Sequence, residues 1–202
     1  MRGDGSQLHK AHSKVENRPH KLPSKKVLLH TCCGVCAYAC IERLKEEGFA
    51  PIGFFFNPNI QPQIEYQKRR DAAFIVAGAL GVPMLEGQYR PSDWYKDLQP
   101  YSQEAEGHRR CRLCYRLRLE ESFKVSVGQD CDYFTTTLSV SPHKKSSVII
   151  DIGKDISRDN FLPFDFKKGD GFKRSLAGAE ELNLYRQNYC GCTYSLRDRS
   201  NG

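Results

Sequence analysis

No stretch of this 202-residue chain approaches the ~20 consecutive apolar residues of a membrane-crossing helix, so the sequence offers no helical membrane span. The first residues carry no apolar h-region, and a secretory signal is therefore not expected. Neither a G-x-G-x-x-G fingerprint nor a Walker sequence occurs, so nothing points to a bound dinucleotide or to ATP. Internal repeats and low-complexity segments are also missing, which argues against a solenoid or an array. The expected setting is the reducing cytoplasm, where disulfide staples are uncommon. A chain of this length can bury a core without them.

Cysteine is plentiful instead, and its placement is uneven. Seven of the nine cysteines fall in three clusters: Cys32-Cys33 with Cys36 just beyond, Cys111-x-x-Cys114, and Cys190-Gly191-Cys192. An odd total excludes a fully paired disulfide framework. Thiols close in sequence suit a soft metal or a dithiol–disulfide couple. Cys32, Cys33, Cys111 and Cys114 together provide four thiolates, which suit tetrahedral zinc or a [4Fe-4S] cluster; spacing alone does not choose between these. Cys36, a helical turn beyond Cys33, is an alternative ligand. Cys190 and Cys192 differ, because one intervening glycine makes a small, strained disulfide ring that is easily reduced. Cys40 and Cys131 are solitary in apolar surroundings and are expected to be inert thiols.

The formal charge of +7 is concentrated near the N-terminus, where residues 1–26 hold seven Lys/Arg against two Asp/Glu. Three histidines, two prolines and few apolar residues accompany them. Residues 1–25 are therefore expected to be a basic, disordered extension, and 26–202 a single domain.

Within that domain, the apolar run Lys26–His30 predicts a buried strand. Cys33–Glu47 has helical spacing and stops at Gly48. A strand over Phe49–Phe56, a loop over Asn57–Pro62 and an amphipathic helix over Gln63–Leu80 follow, then a short strand over Pro83–Gly87. Pro91–Leu98 and Arg110–Val125 are predicted helices, the second placing Cys111 and Cys114 on one face near its start. Tyr133–Ser141 is rich in β-formers and is expected to be the fourth strand. Pro142 is expected to open a helix running toward Gly153, and Phe161–Phe166 to be extended. The last predicted helix, Leu176–Tyr189, carries Tyr185 and leads into Cys190. Strands alternating with helices imply an α/β, Rossmann-like, mainly parallel sheet flanked by helices, with a helical C-terminal part. Ligands in such sheets bind beyond the carboxyl ends of the strands. Cys32-Cys33, Asn57–Ile60 and Ser139–His143 should therefore face one crevice.

Six motifs stand in order along the chain. They are His30-Thr-Cys-Cys-Gly-Val-Cys36, Asn57-Pro-Asn-Ile60, Cys111-Arg-Leu-Cys-Tyr-Arg-Leu-Arg-Leu119, Phe134-Thr-Thr-Thr-Leu-Ser-Val-Ser-Pro-His143, Phe164-Asp-Phe-Lys-Lys168 and Leu184-Tyr-Arg-Gln-Asn-Tyr-Cys-Gly-Cys-Thr-Tyr-Ser195. Together they resemble the epoxyqueuosine reductase QueH family, from about Lys26 to Leu196. The resemblance implies a cytoplasmic, cobalamin-independent oxidoreductase that reduces the epoxide of epoxyqueuosine to queuosine at the tRNA wobble position. It further implies a [4Fe-4S] cluster held by Cys32, Cys33, Cys111 and Cys114, with an additional iron beside it. Cys190 and Cys192 then match a redox-active disulfide pair. The implied partners are a tRNA anticodon stem-loop and an electron donor that no motif identifies. Asp165 and Tyr185 are expected to be catalytic proton donors, with His30 a further candidate; Cys36 and Asp165 are candidate ligands of the extra iron. Arg109, Arg110, Arg112, Arg116 and Arg118 form a basic stretch suited to RNA phosphates. Tyr38, Tyr66 and Tyr115 are candidate stacking partners for loop bases.

Overall fold

The apolar triplet Val27-Leu28-Leu29 lies at the centre of a four-stranded parallel sheet of order β3-β2-β1-β4. The computed structural model describes residues 24–200, so the expected basic extension lies outside the described residues apart from its last two. The strands are β1 (Lys26–Thr31), β2 (Ala50–Phe55), β3 (Met84–Glu86) and β4 (Tyr133–Thr136). The helices are α1 (Gly34–Glu46), α2 (Gln63–Ala79), α3 (Pro91–Leu98), α4 (Arg109–Gly128), α5 (Ser146–Ile156), α6 (Gly171–Glu181) and α7 (Thr193–Ser200). None of them is long and apolar enough to cross a membrane.

Strand alternation sorts β1 between two apolar layers. Val27 and Leu29 pack with Cys40, Ile41 and Leu44 of α1 and Val76 of α2. Leu28 packs on the other side with Leu119 of α4, Phe134 of β4 and Ile149 of α5. A strand covered on both faces needs a continuous apolar run, which is what residues 27–29 provide. β1 has β2 on one side and β4 on the other. The strand order thus reverses at β1, and the ends of β1 and β4 form a switch-point crevice.

Three expectations need correction. Strand four ends at Thr136, and Thr137–Val140 is a 3-10 turn. The Thr136 hydroxyl accepts the Leu138 N–H at 3.1 Å, a local side-chain bond that competes with the strand ladder. Pro142 does not begin a helix; α5 starts at Ser146, and residues 141–145 turn over the crevice instead. The last predicted helix is displaced. α6 covers Gly171–Glu181, and Asn183 takes a left-handed φ of 48° that ends it. Residues 182–192 then run as an irregular strap whose polar groups are met by α2 rather than by helical bonds.

Candidate active site

Cys32 leaves the end of β1, Cys33 is the N-cap of α1, and Cys36 lies in that helix's first turn. The strand-to-helix turn thereby gathers three sulfurs within 4.8 Å of one another, Cys32 half-buried and the other two buried. The Cys36 N–H reaches Cys33 Sγ at 3.4 Å, and Gln187 Nε2 donates to the same sulfur at 2.8 Å. Thr137 Oγ1 donates to Cys32 Sγ at 3.3 Å and accepts the Cys32 N–H at 3.1 Å. Gly34 sits between the cysteines because a Cβ there would come 2.4 Å from the Ala72 carbonyl oxygen of α2.

The three thiols are linked in their titration. Hydrogen bonds from Cys33 and Cys36 pull the Cys32 thiol well below its usual range, and the charges of Arg118 and Lys144 add to that against the cost of burial. The donors move the other way: Cys33 is pushed up to about 12 and Cys36 well above the ordinary value, each chiefly by its bond to Cys32. Against its own burial, the Lys144 ammonium is held charged by Cys190, Cys32 and Cys36.

Cys111 and Cys114 occupy the first turns of α4 and lie outside the group formed by Cys32, Cys33 and Cys36. Each sulfur accepts an N–H, Cys111 from Gly107 at 3.2 Å and Cys114 from the Trp94 indole at 3.3 Å. Burial pushes Cys111 up to about 11 and raises Cys114. Cys32 packs against the apolar cluster that contains Cys111, while Cys114 packs with Trp94, Leu98 and Cys192. Cys192 accepts the Ser195 N–H at 3.4 Å and is pushed up to about 12 by burial, with Cys190 adding to the effect. Cys190 and Cys192 are free thiols. Cys32, Cys36 and Cys190 thus meet at one cavity, while Cys192 is buried with Cys114.

A cavity of about 420 Å³ opens there, lined by Cys32, Cys36 and Cys190 among others. Arg69, Arg118, Lys144 and Arg186 supply positive charge to its wall, and Glu106 reaches its edge. Asn57 is committed, accepting Arg118 Nη2 at 2.6 Å and donating to the Thr31 carbonyl at 2.9 Å. Asn59 Oδ1 and Gln187 Oε1 are buried without a partner, and both residues line the cavity.

Several sequence candidates are placed elsewhere. His30 is wholly buried, with Nδ1 2.8 Å from Thr136 Oγ1 and Nε2 3.1 Å from the Phe56 carbonyl. Burial and the Arg118 charge push it down to about 3, so the ring is neutral and structural. Asp165 closes its own turn by accepting the Lys167 N–H at 3.2 Å. The Tyr185 hydroxyl donates to Glu65 at 2.5 Å, and burial together with that carboxylate pushes it up to about 12. Neither residue lines the cavity. The basic stretch divides: Arg110 and Arg118 are buried, whereas Arg109 and Arg112 face outward. Arg116 pairs with Asp155 at 3.0 Å. Tyr66 and Tyr115 are buried, and Tyr38 is packed over Gly178. The aromatics that do line the cavity are Phe172 and Tyr189. Sequence reasoning missed both: Phe172 lies outside every motif, and Tyr189, although it precedes Cys190 in one, has no spacing that marks it as a wall.

A parallel α/β sheet with clustered thiols at its switch point defines a thiol-centred α/β protein, and comparisons with known proteins narrow that class. Residues 27–198 match the family described as Epoxyqueuosine reductase QueH. The Epoxyqueuosine reductase QueH of Streptococcus pyogenes is 36% identical over 195 residues, covering 92% of this chain and 75% of that protein. That of Thermotoga maritima is 36% identical over 179 residues, covering 86% and 91%. The chain belongs to the epoxyqueuosine reductase QueH family. Among solved structures, the U34-tRNA thiolase NcsA of Methanococcus maripaludis with its [4Fe-4S] cluster shares the fold at a TM-score of 0.54 and 17% identity. That match covers 88% of this chain but 64%, less than two thirds, of the thiolase.

Proposed function

We propose that this chain reduces the epoxide of epoxyqueuosine in a tRNA anticodon loop to the alkene of queuosine, using a thiolate-bound iron–sulfur centre and the Cys190/Cys192 pair. The observation that carries this is the gathering of buried sulfurs beside a cationic cavity in a chain of that family.

The donor set fits such a centre. Thiolates are the ligands of iron–sulfur clusters, and hydrogen bonds to the sulfurs tune them. Here Cys33, Cys111 and Cys114 each accept an N–H donor. Cys32, Cys33, Cys111 and Cys114 are the proposed ligands of a [4Fe-4S] cluster. Cys36, whose sulfur completes the group with Cys32 and Cys33, is the thiol left for an additional iron. When bound, such a group would supply one-electron delivery and Lewis acidity.

The chain's own thiols close the balance. Oxidation of Cys190 and Cys192 to a disulfide forms one S–S bond and releases two electrons and two protons. Opening the epoxide to an alkene consumes two electrons and two protons, breaks both C–O bonds and releases water. An external electron donor must then return the pair to dithiol. Lys144 Nζ holds positive charge on the cavity wall where the departing oxygen gathers negative charge. Asp165 and Tyr185, committed to Lys167 and Glu65, are not assigned the proton transfer. Phe172 is proposed to stack on the substrate base, as exposed loop bases are commonly held. A tRNA substrate supports a cytoplasmic setting.

The test uses anaerobically purified protein and a stem-loop carrying epoxyqueuosine. Iron, acid-labile sulfide and conversion to a product lighter by one oxygen are expected. Cys190→Ser should keep its iron and lose turnover. Colourless protein containing zinc alone, or loss of iron in that variant, would overturn the assignment.

A further inference from the structure

Glu65 and Arg69 stand one turn apart on α2 and form an ion pair at 2.7 Å, with side chains 8% and 3% exposed. Moving two charges out of water costs several kcal/mol per ion, so a buried pair is weak support for stability by itself. Its value lies in what the pair holds. Arg69 Nη1 donates to the Cys190 carbonyl and Nη2 to the Tyr189 carbonyl, both at 3.1 Å. The guanidinium carbon also lies 5.0 Å from the Tyr189 ring centroid. The second oxygen of Glu65 receives the Tyr185 hydroxyl. Every one of these contacts reaches the irregular strap over residues 182–192.

The backbone of that strap is also closed on the loop that leads into α2. Gln61 N–H donates to the Gly191 carbonyl at 2.7 Å. Gly191 has a φ of +114°, and a Cβ there would lie 3.0 Å from Arg69 Nη1. Glycine at 191 therefore permits both the turn and the close approach of the guanidinium. Cys190 is left on the cavity wall, and Cys192 is turned back among Trp94, Leu98 and Cys114.

We propose that the Glu65–Arg69 pair is the positioning element of the Cys190/Cys192 couple, holding the strap so that Cys190 stays on the cavity wall and Cys192 among Trp94, Leu98 and Cys114. This rests on the assignment of those cysteines as a redox couple. The planar fork of arginine meets two carbonyls and a carboxylate at once; a lysine ammonium is a single point charge and does not reproduce that geometry. Loosening the strap removes the hold on the dithiol arrangement and favours ring closure to the disulfide.

Arg69→Lys and Glu65→Gln in the full-length holoenzyme test this. Alkylation and mass measurement in glutathione buffers give the dithiol–disulfide equilibrium, alongside iron content, kcat and KM. Both variants are expected to keep iron and to shift the equilibrium toward disulfide tenfold or more, about 30 mV for a two-electron couple. Their kcat should fall at least tenfold with KM within twofold of the parent. A parent protein that never forms the 190–192 disulfide would overturn the redox assignment and the clamp with it. A parent disulfide whose equilibrium is unchanged in both variants would overturn the clamp alone. If Arg69→Lys fails to fold, Glu65→Gln, close in shape to the parent residue, still decides the matter.

Discussion

Cys111 shows how a side chain's neighbours determine its role. Its sulfur is buried and accepts a backbone N–H from Gly107. An inert core thiol has no need of a donor, whereas a thiolate ligand is stabilised by one. Cys111→Ala is therefore expected to abolish the broad visible absorption of anaerobic protein together with turnover. Full absorption and full activity in that variant would remove Cys111 from the ligands. Phe172 is a second case. It is 38% exposed while lining the cavity, and so offers an apolar face to what enters there. Base–aromatic stacking contributes about 1–3 kcal/mol. Phe172→Ala should accordingly raise KM for the stem-loop by roughly 5- to 150-fold with iron content unchanged, while Phe172→Trp should restore it. A KM unchanged in Phe172→Ala would remove the stacking role.

At the scale of elements, α2 does more than cover the sheet. Its Glu65 receives the hydroxyl of Tyr185 from the strap, and burial with that bond pushes Tyr185 up to about 12 from an ordinary 10.0. The unfolded chain loses this proton first as pH rises. The stabilisation is thus fully present below pH 10 and lost between about pH 10 and 12. Denaturant unfolding at stepped pH should show the parent losing stability across that window more steeply than Tyr185→Phe. Parallel curves for the two proteins would mean that the hydroxyl contributes nothing to holding the strap. Residues 182–192 are not helical, for reasons of backbone rather than of this side-chain bond. Sequence reading extends the last helix to Tyr189. Yet Asn183 ends α6 in a left-handed turn, and Arg69 takes the Tyr189 and Cys190 carbonyls. Strand four was overextended for a similar reason: Thr135, Thr136 and Thr137 are good β-formers, but the Thr136 hydroxyl caps the turn that follows.

For the whole molecule, charge should govern substrate capture. The net charge is +7, and Arg112 and Arg186 are exposed, Arg186 on the cavity wall itself. Neutralising phosphates releases counterions, so affinity for the stem-loop should fall linearly with salt on logarithmic axes. Replacing Arg112 or Arg186 by alanine should reduce that slope by about 0.7 each, the value for one single-strand phosphate contact. Affinity indifferent to salt would rule out a basic binding face.

Sequence alone determined the covalent logic of this protein. The run at 27–29 required a strand buried on both faces, and glycines at 48 and 81 ended two helices where apolar periodicity stopped. The three cysteine clusters narrowed the chemistry to metal–thiolate or dithiol work without choosing the metal. Those features are local, because period, breaker and spacing act within a few residues of one another. Only the tertiary structure decided which thiols stand together, since that depends on how the turn from β1 into α1 folds and on where the N-terminus of α4 comes to rest. It also decided that Arg110 and Arg118 turn inward while Arg112 turns out, and that Tyr185 holds a strap. Each of these outcomes depends on a partner far along the chain, such as Asn57 for Arg118 or Glu65 for Tyr185, and no local pattern encodes a hydrogen bond made across the fold.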